Sequence, residues 1–169
     1  EYLALNRNGV VPTLLLEGKP HYEAAALAML LAERHPQAQF APAIDAPQRA
    51  DYLQWMFNLA NMVQPLFRQW WYPGEPAGEA LREQVLTQCA QRIAAEWDRI
   101  DAHLAQHGPY VLGEQLSVVD FYLTMLMRWS RNMPKPATQW PQLAALAQRM
   151  KARPSFARLY AAEGLTEWA

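Results

Sequence analysis

Apolar residues recur every three or four positions through most of the second two thirds of the chain. Val85, Cys89, Ile93, Trp97, Ile100 and Leu104 form one stripe between Glu79 and His107, which predicts an amphipathic helix stopped by Gly108-Pro109. Before it, Gln48–Trp70 carries Leu53, Met56, Phe57, Ala60 and Val63 at helical spacing, and Pro65 is expected to kink this segment or end its regular part. Leu116–Trp129 (LSVVDFYLTMLMRW) is apolar on nearly every side, the pattern of a core helix with others packed around it. Two shorter helices, Leu143–Ala152 and Ser155–Glu163, are separated by Pro154.

The first residues follow another rhythm. Val10–Leu16 (VVPTLLL) reads as a short strand, Glu17-Gly18 as a turn, and Lys19–Tyr22 as a returning strand. Pro12 would remove a ladder hydrogen bond, so it needs an edge, a bulge or a cis turn. From Glu23 the pattern becomes helical, EAAALAMLLAER, and stops before Pro36. A hairpin and one helix cannot build a core alone. This unit either rests on the helical part or is completed by strands and a helix upstream of Glu1, and the second is the expectation. The fold class is thus α+β. Residues 1–36 form a hairpin-plus-helix unit, residues 37–47 a proline-containing linker, and residues 48–169 an all-α bundle.

Ser117 and Asp120 have the spacing of a capping box, in which each side chain takes the other's backbone N–H, and Leu116 and Phe121 sit where a hydrophobic staple would close. Asp120 is therefore read as structural rather than as a general acid or base. Cys89 lies on the apolar stripe and reads as a small buried hydrophobe. His21, His35, His103 and His107 show no metal-ligand spacing, and no metal is expected. Glu96, Asp98 and Asp101 read as a solvated helix face.

Composition narrows the classes. Over 169 residues, 51% are apolar and 18% charged, with a net charge of −1, so the chain is globular and offers nucleic acid or an anionic membrane nothing to grip. No apolar run approaches the ~20 residues of a membrane span. A single cysteine excludes an intrachain disulfide and suits a reducing, cytoplasmic setting.

Three segments in order carry a resemblance. NRNGVVPTLLLEGKPHYEAAALAMLLAERHP resembles the second half of the thioredoxin-like domain of glutathione transferases. GPYVLGEQLSVVDFYL is similar to the capped core helix of their helical domain, and ARPSFARLYAAEGL resembles the ending of bacterial beta-like members. The resemblance implies a glutathione site in which the backbone of Val11, before a cis Pro12, pairs with the cysteinyl unit. Glu23 and Ala24 would hold the γ-glutamyl end. Ala24 stands where many members have Ser, and Gln64-Pro65 where beta-like members have a His-Lys pair. The thiolate-stabilising catalytic residue would lie upstream of Glu1. The resemblance further implies glutathione as co-substrate, a small apolar electrophile and a homodimer. Trp70, Trp71 and Tyr72, three consecutive aromatics, could wall the electrophile pocket, form a dimer seam, or simply pack over a helix end. The alternatives to a transferase are a non-catalytic interaction protein on the same fold, and a glutathione-dependent isomerase, dehalogenase or reductase.

Overall fold

The computed structural model describes residues 1–168. Two strands, β1 (Thr13–Leu16) and β2 (Lys19–Tyr22), pair antiparallel with Thr13 opposite Tyr22 and Leu16 opposite Lys19. Glu17 and Gly18 join them, both at positive φ (51° and 76°), the two-residue loop whose twist matches its strands. Pro12 falls just before β1 and so costs the ladder nothing. Helix α1 (Ala24–Arg34) follows at once.

The long segment after the linker is three consecutive pieces: α2 (Arg49–Asn58), a wide π turn (Leu59–Val63) and α3 (Gln64–Trp71). Proline explains the wide turn. Pro65 has no N–H for the carbonyl of Asn61, and its ring would collide with that carbonyl in a regular helix. The chain instead opens by one residue, and Gln64 N–H donates five back to Leu59 O. A four-residue turn of helix, α4 (Gly74–Ala77), leads to α5 (Arg82–His107), then α6 (Val118–Trp129), α7 (Pro141–Lys151) and α8 (Pro154–Glu163). No helix among the described residues is long and apolar enough to cross a membrane.

The core surrounds α6, which packs on α1, α2 and α7 and buries Val119, Leu123, Leu126 and Met127 completely. From α5 come Cys89, Ile93, Trp97, Ile100 and Leu104, the buried part of the stripe; Val85 is half-buried near its start. The capping box forms, with Ser117 N–H donating to Asp120 Oδ2 at 2.9 Å. The Ser117 hydroxyl also takes the N–H of Val119 at 3.3 Å. Asp120 does more than cap: its Oδ1 accepts Val111 N–H at 2.8 Å, tying the α5–α6 loop to the core helix.

One expectation holds only in part. Of Glu96, Asp98 and Asp101, Asp98 is exposed as a solvated face requires, but Glu96 is buried and Asp101 half-buried. Glu96 is 9% exposed and paired with Arg99, and Asp98 accepts the Trp140 indole N–H at 2.6 Å. Asp101 accepts the backbone N–H groups of Gln142 and Leu143 at 2.7 and 3.0 Å, capping α7 from a distant helix. Helical periodicity shows which face is apolar, but not that a neighbouring helix starts against the polar one.

Candidate functional site

The hairpin register decides what sits beside what. With Thr13 opposite Tyr22, Val11-Pro12 and Glu23-Ala24 are the residues just outside the last pair at the open end of the hairpin. The Val11-Pro12 peptide is cis. Val11 is 81% exposed, and its backbone N–H and C=O carry no hydrogen bond among the described residues, leaving a strand-like edge open.

A residue given no role in the sequence reading holds this bend. Asn6, 1% exposed, donates from Nδ2 to Val10 O at 2.8 Å and to Thr13 Oγ1 at 3.3 Å, while its Oδ1 accepts Asn8 N–H. Tyr2 hydroxyl donates to Val10 O at 2.7 Å from the other side. The signal available was a short amide ahead of Gly9, a type that bonds its own neighbouring backbone.

Glu23 is the N-cap of α1, with φ 78° and ψ 106°. A non-glycine residue held there costs of order 1–3 kcal/mol, and such residues gather at ligand clamps. Its carboxylate makes no capping bond to α1. The first-turn N–H groups of α1 therefore have no side-chain acceptor from the cap, an arrangement that suits a ligand carboxylate. Ala24, next in line, has no hydroxyl to add. A cavity of about 450 Å³ lies between α1 and the α2–π segment, lined by Glu23, Met29, Glu33, Met56, Phe57 and Asn61 among others.

A second, apolar cavity of about 340 Å³ lies between α6 and α8, lined among others by Phe121, Met125, Trp129, Phe156 and Trp168, with Arg128 its one cationic lining residue. Trp71 packs on Trp129 at 4.8 Å between ring centroids, and so touches this lining. Trp70 is half-buried against the core, and Tyr72 lies under the Arg68 guanidinium at 4.3 Å. Of the three consecutive aromatics, only Trp71 meets the cavity wall.

The remaining candidates are placed elsewhere. Asp120 is fully buried, and burial lifts its carboxyl above the ordinary carboxylate range, while the Val111 and Ser117 donors pull it back. Cys89 is 2% exposed, its thiol 3.5 Å from Gln69 Oε1; burial pushes the thiol pKa up, away from a reactive thiolate. His103 Nε2 bonds Val111 O at 2.8 Å and its ring packs on Trp55.

The family model for the glutathione S-transferase C-terminal domain matches residues 60–163. The chain belongs to the glutathione S-transferase family. Glutathione S-transferase GstA of Escherichia coli O157:H7 is 26% identical over 167 residues, covering 98% of this chain and 79% of that protein. Among solved structures, the ternary complex of BphK, a bacterial glutathione S-transferase, is 30% identical with a TM-score of 0.86, covering 97% of this chain and 79% of that one. A glutathione transferase homologue from Sulfitobacter with bound glutathione is 29% identical with a TM-score of 0.88, at the same two coverages. In the glutathione S-transferase fold the hairpin and α1 are thus part of a thioredoxin-like domain, and α2 to α8 the all-α domain.

Proposed function

We propose that the protein is a glutathione transferase that holds glutathione at the open end of the hairpin and sets its thiolate against a small apolar electrophile. The observation that carries this is the pairing of an open backbone edge at Val11 with an uncapped, Glu23-started helix on the same end of one hairpin. Val11 would pair with the cysteinyl backbone, Glu23 would accept from the γ-glutamyl ammonium, and the first N–H groups of α1 would take its carboxylate. The bound glutathione in the Sulfitobacter homologue supports the reading. Catalysis then comes mainly from proximity and thiolate stabilisation. Trp71 and Trp129 would form the apolar wall facing the electrophile.

The same reading makes the protein a homodimer. Phe57 and Met62 on the long α2–α3 segment are 58% and 45% exposed, an apolar face for a second copy. Light scattering at micromolar concentration should give twice the chain mass; a monomer contradicts the dimer.

A second reading, a non-catalytic interaction protein on this fold, is favoured by Ala24 and by Gln64-Pro65. Calorimetric titration separates the two, since a transferase binds glutathione saturably below about 10 mM and the interaction protein gives no heat. Ala24→Ser should tighten binding about fivefold, the worth of one added hydrogen bond of ~1 kcal/mol. Unchanged affinity would place the γ-glutamyl group away from Ala24.

A further inference from the structure

The cavity between α6 and α8 is walled by aromatic and aliphatic side chains, Phe121, Met125, Trp129, Phe156 and Trp168 among them, and its polar groups are few. Two of these touch each other. Arg128 of α6, half-buried, donates from Nε to the hydroxyl of Tyr160 on α8 at 3.0 Å, and both side chains line the cavity.

That bond sorts the capacity left over for a guest. A guanidinium has donors only, so with Nε committed to Tyr160 the Nη groups still have hydrogens to give. No carboxylate pairs with Arg128 among the described residues, and Glu167, which lies within its field, is bonded to Arg131 at 2.7 Å. The Tyr160 oxygen accepts from Arg128 and keeps its own hydrogen, which no acceptor takes among the described residues. Thr124, also in the lining, gives its hydrogen to Asp120 O at 2.6 Å, and the Ser155 hydroxyl can donate or accept. No Asp or Glu lines the cavity among the described residues, so its one formal charge is positive.

We propose that this cavity binds an amphipathic organic anion, an aromatic or aliphatic body carrying a carboxylate or sulfonate, with Arg128 and Tyr160 as the residues that take the acid group. Its volume of about 340 Å³ is that of a small-molecule site. A cationic guest would meet Arg128 directly. A neutral apolar guest would fill the aromatic part but strip water from the guanidinium and return no charge. An acid group supplies that charge and accepts from the Tyr160 hydroxyl as well, in the charge-assisted geometry that suits arginine. One step rests on the transferase reading: there the guest is the electrophile, and its class narrows to an apolar body with an acidic substituent.

The test compares two fluorescent probes on the whole chain, anilinonaphthalenesulfonate and phenylnaphthylamine, which share an aromatic body and differ in the sulfonate. The parent should bind the sulfonate probe saturably and more tightly than the neutral one. Arg128→Met, which keeps the apolar stem, should weaken the sulfonate probe about 10- to 100-fold and leave the neutral probe unchanged. Tyr160→Phe should weaken the sulfonate probe about three- to tenfold, again without effect on the neutral one. Equal losses for both probes in the two variants, or no loss for either, would overturn the assignment, because a packing role does not distinguish guests by their acid group. Sulfonate binding that depends on Arg128 in a chain giving no heat with glutathione would keep this site and remove the transferase reading with its electrophile step. Heat with glutathione and no binding of the sulfonate probe would overturn the site and leave that reading standing.

Discussion

Replacing Asp120 with alanine should cost about 4 kcal/mol and lower the thermal midpoint by roughly 8–16 °C. The loss comes from donors, not from packing volume. Val111 N–H, Ser117 N–H and the Ser117 hydroxyl all point at this carboxylate, and removing it leaves the two backbone donors without an acceptor in a region closed to water. The damage extends to three elements, because one side chain starts α6 and pins the loop leaving α5. Asp120→Asn should recover less than half of the loss, since its amide keeps one acceptor but turns N–H groups towards another N–H. The pH dependence has a definite sign. Burial raises the folded-state pKa of Asp120 above the ordinary 3.8, so the folded chain holds this proton more tightly than the unfolded chain. Its titration therefore contributes most to stability below 3.8, and that contribution is lost as pH rises through the raised value. The parent's stability relative to Asp120→Asn should fall over that window in chemical denaturation; a difference that rises with pH would mean the carboxylate's donors outweigh its burial.

Glutathione binding by Glu23→Gly should be about 30- to 160-fold weaker than in the parent, while the folded state becomes more stable by about 1 kcal/mol. The two effects share a residue but have separate causes. The carboxylate provides a charge-assisted bond to the ligand amine, worth about 2–3 kcal/mol. The backbone at φ 78° and ψ 106° is a place where a side chain is strained and glycine is not. Glu23→Ala should lose the same binding without the gain in stability, because alanine keeps the Cβ that causes the strain. Calorimetry with glutathione, paired with thermal melts, reads both quantities. A glycine variant that is less stable than the parent would mean that the cap conformation carries no strain.

Much of this architecture could be read directly from residue order. The α5 stripe, the capping box and the two-residue turn at Glu17-Gly18 each follow from local rules, and each forms as the pattern requires. Three features were not legible, for physical reasons. Pro65 announced an irregularity, but whether the chain breaks, kinks or widens into a π turn depends on what packs around it. The roles of Asp98 and Asp101 depend on where Trp140 and α7 begin, about forty residues later, and helical spacing contains no such information. Gly108-Pro109 ends α5 as expected, yet its cis peptide is a local choice that the dipeptide leaves open. For the candidate site, the motif supplied Val11, Glu23 and Ala24 by resemblance. The hold of Asn6 on the bend appeared only once the chain was assembled.

Backbone amide shifts of the isotopically labelled protein, followed by NMR as glutathione is added, locate the ligand residue by residue. The largest, saturable changes should fall on Val11, Glu23, Ala24 and Ala25. A chain whose spectrum stays still at 10 mM ligand, or moves only around the α6–α8 cavity, would leave the hairpin's open end without the peptide it is argued to hold.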